Sequence, residues 1–166
     1  FDVALHIGTL AALLVVFWSD VRNLFIGFFS WCRHPRLSQS ESEQSALTVL
    51  IAIVPAFLIG AFFENIIESS LRSTAIVALM LIVVAVIFLW LESRSADLYH
   101  RSLEHLSLRE ALFIGVAQTL AFIPGTSRSG ITIAAGMLLG LRREQAARFS
   151  FLIALPIVAG AGLKKM

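Results

Sequence analysis

The run ALFIGVAQTLAFIPGTSRSGITIAAGMLLGL, residues 111–141, decides the fold. It is apolar almost throughout, yet its centre reads Pro124-Gly125-Thr126-Ser127-Arg128-Ser129-Gly130, and Arg128 is the only charge between Glu110 and Arg142. A guanidinium at the centre of a bilayer costs roughly 2.5–3.5 kcal/mol on insertion scales unless something pairs with it. Proline lacks the N–H that a helix interior needs, and glycine tolerates backbone angles that other residues resist. The segment is therefore predicted to form two half-helices, 111–123 and 131–141, joined by a polar turn at 124–130. Non-helical backbone survives at membrane depth only where protein shields it or a wet cavity borders it.

Working outward, the whole chain is of the same kind. Its 166 residues are 58% hydrophobic and only 14% charged, and its mean hydropathy is strongly positive, which marks an all-α integral membrane protein rather than a soluble domain. A net charge of +2 is too small to suggest nucleic acid. The single cysteine, Cys32, has no disulfide partner within the chain and no metal-ligand spacing around it. Phe1 falls inside an apolar run and no start methionine precedes it, and the last apolar run, up to Lys164, is barely long enough to cross a bilayer. Both ends read as incomplete.

Spanning helices need about 20 apolar residues. Segments 1–18, 46–63, 74–91 and 149–163 fit that length or approach it, with a kink expected at Pro55 in the second. Residues 19–45 read as a loop whose aromatic part, 21–31, lies in the membrane interface. Residues 64–73 and 92–110 read as connections. Arginine is concentrated in 19–45, 92–110 and 141–148, whereas 64–73 is net acidic. The positive-inside tendency puts the first three in the cytoplasm and the fourth outside. The broken segment then enters and leaves from one side, as a re-entrant hairpin. Lys164 and Lys165 fall outside, against the trend.

The turn suits an anion. Residues 125–130 can present several backbone N–H groups into one concavity, the second half-helix directs its positive end there, and Arg128 adds a forked donor matched to phosphate oxygens. The alternative is structural: Ser127 or Ser129 caps the second half-helix and Arg128 pairs with a carboxylate on another helix. Gln118 and Thr119 either approach the same ligand across the hairpin or bond a neighbouring helix. Thr132 either reaches the site or bonds its own helix carbonyl. His6, in an apolar helix with no visible partner, reads either as a proton carrier or, more in keeping with its isolation, as a packing residue; His34, His100 and His105 show no ligand spacing, and no metal-ligand set is evident.

The run Ala117-Gln118-Thr119-Leu120-Ala121-Phe122-Ile123-Pro124-Gly125-Thr126-Ser127-Arg128-Ser129-Gly130 resembles the second signature of the bacterial undecaprenyl-diphosphatases, the bacitracin-resistance family. The likeness continues through Phe149-Ser150-Phe151-Leu152-Ile153-Ala154-Leu155-Pro156 and covers essentially the whole chain. It implies a polytopic enzyme of the bacterial inner membrane that removes the terminal phosphate of undecaprenyl diphosphate, recycling the lipid carrier of peptidoglycan synthesis and conferring bacitracin resistance. It implies a divalent cation such as Mg2+, two inverted repeats each with a re-entrant hairpin, and a site open to the periplasm.

Carried over by position, Arg128, Ser127 and Ser129 would be catalytic, while Gly125, Thr126, Gly130, Gln118 and Thr132 would bind substrate. The expected partners are undecaprenyl diphosphate and membrane lipids, with a homodimer possible. The family's first signature, a glutamate pair with Pro-Val-Ser-Ser and a histidine, is absent from these residues, so residues 1–166 alone are expected to be inactive. A broader lipid-phosphatase group follows its Ser-Arg pair, after five intervening residues, with histidine; Ala134 in that place excludes it. A transporter or flippase for polyprenyl phosphates remains the alternative, because inverted repeats with broken helices also build transport sites.

Overall fold

The computed structural model describes the backbone of residues 2–33, 40–70, 73–94 and 99–164 and, within them, the side chains of 8–33, 40–62, 73–94, 99–158 and 160. The readings of His6, His34, Glu64, Glu68, Arg72 and Lys165 concern side chains outside that set. Among the described residues there are seven α-helices: α1 (Asp2–Val16), α2 (Trp18–Arg33), α3 (Glu41–Ser70), α4 (Thr74–Glu92), α5 (Leu108–Thr119), α6 (Arg128–Leu138) and α7 (Arg143–Lys164). Short 3-10 turns occupy Leu103–His105 and Leu120–Phe122. The only sheet-like pairing described is a single bridge between Arg101 and Leu141.

The chain is an integral membrane protein. α3 over Glu41–Phe62 and α4 are each long and apolar enough to cross a membrane. α4 leaves Leu79, Leu81, Ile82, Val86 and Leu89 exposed, and a helix that is apolar on every face and mostly uncovered requires lipid rather than water around it.

Helix boundaries differ from those expected wherever a polar residue caps an end. α3 begins at Glu41, not at residue 46, because Ser40 accepts from the Glu43 N–H at 3.3 Å and its carbonyl from the Gln44 N–H at 3.1 Å. Polar residues that hydropathy assigns to a loop thus form the first turn. α3 also runs through Pro55 without a break and continues to Ser70, so most of the expected 64–73 connection is helical. Residues 18–33 form a helix rather than a loop: α2 departs from α1 at 82° and packs along α3, where Gly27 meets the Ser42 backbone so closely that a Cβ would collide. α7 starts at Arg143 rather than residue 149, with Glu144 in its first turn.

The core lies where α3, α5, α6 and α7 meet, around Ala52, Ile114, Leu141, Phe149 and Ile153, all at most 1% exposed. Small residues set the spacing: Gly115 on α5 touches the Ala52 backbone, and Gly136 on α6 faces Ala146 on α7. Close backbone approach of this kind is how helices associate in lipid, where apolar burial gives little drive. α1 packs on α7, with the Phe17 and Phe151 rings 5.8 Å apart, and α4 packs on α6.

Candidate functional site

The broken segment is built from caps outward. Ser107 opens α5 with a capping box: its hydroxyl accepts from the Glu110 N–H while Glu110 accepts from the Ser107 N–H at 2.8 Å. Arg101 binds the same carboxylate through two N–H groups, at 2.6 and 3.2 Å, and also donates to the Leu139 carbonyl at 2.8 Å. The hydrogen bonds from Arg101 and Ser107 hold the Glu110 carboxyl down at about 2, against a smaller opposing effect of burial. α5 ends at Thr119 and tightens into the 3-10 turn, short of the expected residue 123.

The chain then reverses at Pro124-Gly125. Gly125 has φ +92, and a Cβ there would lie 2.5 Å from the Val77 carbonyl oxygen. The apex of the hairpin is therefore seated against the first turn of α4. The Thr126 N–H donates to the Ile123 carbonyl at 3.1 Å and the Gly130 N–H to the Ser127 hydroxyl at 3.2 Å, so part of the turn's N–H array is already engaged.

Ser127 is the N-cap of α6, which starts at Arg128, three residues earlier than expected. The N–H groups of Arg128 and Ser129 belong to the first turn, which has no acceptor within its own helix. α6 closes in a Schellman motif: Gly140 (φ +84) donates to the Met137 carbonyl at 2.9 Å, Leu141 donates to that of Gly136 at 3.1 Å, and the Leu141 side chain packs back on Gly136.

Arg128 and Gln118, ten positions apart in sequence, line one cavity of about 670 Å³ between α3, α5, α6 and α7. Its other walls are apolar, with Ala56, Gly60, Ala61 and Ala121 set among Ile53, Phe57, Phe122 and Ile157. The Arg128 side chain is half-buried, and no carboxylate among the described residues pairs with it. Gln118 is 2% exposed and neither its amide oxygen nor its amide nitrogen has a partner; the buried Thr126 hydroxyl likewise has none. Buried polar atoms in native proteins are nearly always bonded, so the unbonded Gln118 amide, in the wall of the same cavity as the unpaired Arg128 guanidinium, is hydrogen-bonding capacity that a ligand could satisfy.

The remaining expected residues are placed as follows. Ser127 and Ser129 stand exposed at the start of α6 with their hydroxyls 3.4 Å apart, beside the cavity rather than in its wall. Gly130 is buried near Phe88. Thr132 is not brought to the cavity: its hydroxyl lies 2.9 Å from the Arg128 carbonyl, 3.1 Å from that of Ser129 and 2.6 Å from the Ser150 hydroxyl. A hydroxyl with three such neighbours is engaged within the fold, which is the second of the two readings its sequence position left open. Thr119 bonds the Val116 carbonyl at 2.7 Å.

Mg2+ is held by carboxylates, phosphates and water. The cavity offers a guanidinium and a neutral amide, and no group of three or more His, Cys, Asp or Glu among the described residues could hold a metal ion. These residues do not fit a divalent cation by themselves.

Sequence reasoning missed Ser150, Val77 and the small-residue wall of α3. The lone hydroxyl in an apolar run marked the first, and the four-residue spacing of Ala56 and Gly60 marked the last. The Val77 contact has no sequence signal.

Comparison with known proteins gives one consistent result. The profile of the family described as "Bacitracin resistance protein BacA" matches residues 1–166. Curated relatives named undecaprenyl-diphosphatase include those of Geotalea daltonii, 44% identical over 168 residues and covering 98% of this chain and 60% of the relative, and of Chromohalobacter salexigens, 41% identical over 165 residues and covering 99% and 61%. That of Rubrobacter xylanophilus is 44% identical over 162 residues, covering 98% and 59%. The chain thus spans about 60% of the length of these relatives.

Proposed function

This chain belongs to the bacitracin resistance protein BacA family, and from that premise we propose that the whole protein hydrolyses undecaprenyl diphosphate to undecaprenyl phosphate and inorganic phosphate. The observation that carries the reading is the pairing, in one otherwise apolar cavity, of a guanidinium without a carboxylate and an amide without a partner. A lipid diphosphate matches both halves of that description. Its oxygens accept from Arg128, Gln118 and the first-turn N–H groups of α6, and its chain suits the apolar walls.

Phosphoryl transfer asks a protein mainly for positioning and for charge stabilisation at the oxygens where charge develops. Arg128 supplies a planar, permanently charged fork that can hold two oxygens of one phosphate. The positive end of α6 adds to it, and the exposed hydroxyls of Ser127 and Ser129 stand at the same helix start, ready to donate to phosphate oxygens. Gln118 fixes the headgroup from the opposite half of the hairpin. The carboxylates for a divalent cation, and the group that delivers or removes protons, would come from other parts of the whole protein. Recycling of the lipid carrier for peptidoglycan synthesis, bacitracin resistance and a site reached from the periplasmic side of the inner membrane follow as parts of the same proposal. Transport of the lipid has no observation of its own in its favour.

Phosphate release by the full-length protein tests this. Arg128→Ala should reduce turnover of undecaprenyl diphosphate by about 10²–10³-fold or more, the usual cost of removing one transition-state donor. Arg128→Lys should restore little of it, because a point charge cannot make the paired contact. Near-normal turnover in Arg128→Ala would refute the assignment.

A further inference from the structure

We propose that Ser150 on α7 is a positioning residue for Arg128, acting through Thr132, one turn into α6. This rests on the reading of Arg128 as the diphosphate-binding group. Ser150 is 3% exposed and sits between Phe149 and the buried Leu152 and Ile153. Its hydroxyl lies 2.6 Å from that of Thr132, itself 2% exposed. Thr132 Oγ1 is also 2.9 Å from the Arg128 carbonyl and 3.1 Å from the Ser129 carbonyl.

The direction of this chain follows from counting protons. Carbonyls only accept, and a threonine hydroxyl has one proton. Thr132 gives that proton to the carbonyls of the first turn, so Ser150 must donate to Thr132. Successive hydroxyls aligned in this way strengthen one another. The peptide units held at the end of the chain are those of Arg128 and Ser129, the residues that carry the guanidinium and one of the exposed hydroxyls. α7 therefore grips α6 at the turn that faces the cavity, not at an arbitrary point along it.

Two comparisons within the molecule separate this from ordinary packing. Thr48 on α3 makes the same bonds to its own helix carbonyls, at 3.0 and 2.9 Å from Gln44 and Ser45, with no side-chain partner across a helix interface among the described residues, so a buried threonine of this kind does not need a serine. Further along the same α6–α7 interface, Gly136 meets Ala146, so the two helices pack closely there without polar groups. The hydroxyl pair is placed where orientation of Arg128 is at stake.

The test uses the full-length protein, undecaprenyl diphosphate as substrate, and thermal melting alongside turnover. Ser150→Ala should lower kcat/KM by about tenfold or more, as small misplacements at phosphoryl-transfer sites do, with the melting temperature nearly unchanged. Ser150→Cys, which keeps the shape and a weak donor, should fall between wild type and Ser150→Ala, and it carries the test if Ser150→Ala does not fold. On an Arg128→Lys background, Ser150→Ala should cost less than twofold further, because the geometry it protects is already lost. Wild-type turnover in Ser150→Ala or Ser150→Cys, or a full additional loss on the Arg128→Lys background, would overturn the proposal while leaving the function intact. Full turnover in Arg128→Ala would instead remove the functional reading on which it stands.

Discussion

Gln118 shows what a single residue can reveal about a site. An amide enclosed in protein with both its oxygen and its nitrogen unbonded is a cost to the fold, and replacing such a group with an apolar side chain of similar shape is nearly neutral or stabilising. Gln118→Met should therefore melt at the same temperature as wild type or higher, while turnover of undecaprenyl diphosphate falls by about tenfold or more, the loss of one hydrogen bond to a charged oxygen. A drop in melting temperature with turnover intact would mean that the amide serves helix packing, the alternative open at the level of sequence. Arg128 was legible from the start because charge in an apolar run is conspicuous. Its neighbours were not equally legible: that Ser127 caps α6 and Thr132 turns toward α7 depends on which way each side chain points, and residue order does not encode that.

At the scale of the element, the hairpin is a sequence feature with a tertiary seat. The break follows from Pro124 and Gly125, but Gly125 is required twice over, once by φ +92 and once by the Val77 backbone against which its α-carbon rests. Gly125→Ala should destabilise the protein by on the order of 2–5 kcal/mol, from backbone strain plus overpacking, and should abolish turnover; a melting temperature close to wild type would contradict the seat on α4.

The base of the hairpin is secured by charge. Arg101 and Ser107 hold the Glu110 carboxyl at about 2, below its ordinary 4.5, so the carboxylate's contribution to stability is complete above about 4.5 and is lost as pH falls toward 2. Glu110→Gln should cost about 1–2 kcal/mol at neutral pH, after allowing for partial exposure, and should flatten the acid limb of a melting-temperature profile between pH 4.5 and 2. An unchanged acid limb would show that the ion pair is not maintained in solution.

On the scale of the whole molecule, the loops rich in arginine are gathered at one end of the bundle. Arg101 exchanges backbone hydrogen bonds with Gly140 and Arg142 at 3.0 and 3.1 Å, Arg143 pairs with Glu92, and Arg148 pairs with Asp20. The hairpin apex, by contrast, lies at the other end of α4, beside Val77. This grouping supports the proposal that residues 19–33, 92–110 and 141–148 share one membrane face while the start of α4 belongs to the other. Single cysteines at Ser93 and Arg142, introduced after Cys32→Ser, should react with an impermeant maleimide from the face that labels native Cys32, and a cysteine at Ser73 from the opposite face. Labelling of positions 93 and 142 from opposite sides would refute the re-entrant arrangement.

Sequence alone determined that the protein is helical and embedded in a membrane, that the apolar segment 111–141 is broken into two helices around Pro124-Gly125, and that a cation stands at the break. Those properties arise from composition, proline and glycine, which act locally. Only the tertiary structure decided that Gln118 and Arg128 share a cavity, that the apex rests on Val77, that residues 18–33 fold into a helix along α3, and that Ser150 reaches the first turn of α6. Each of those depends on helices brought side by side by small residues at their contacts, and helices distant in the chain meet in three dimensions at positions that no local period records.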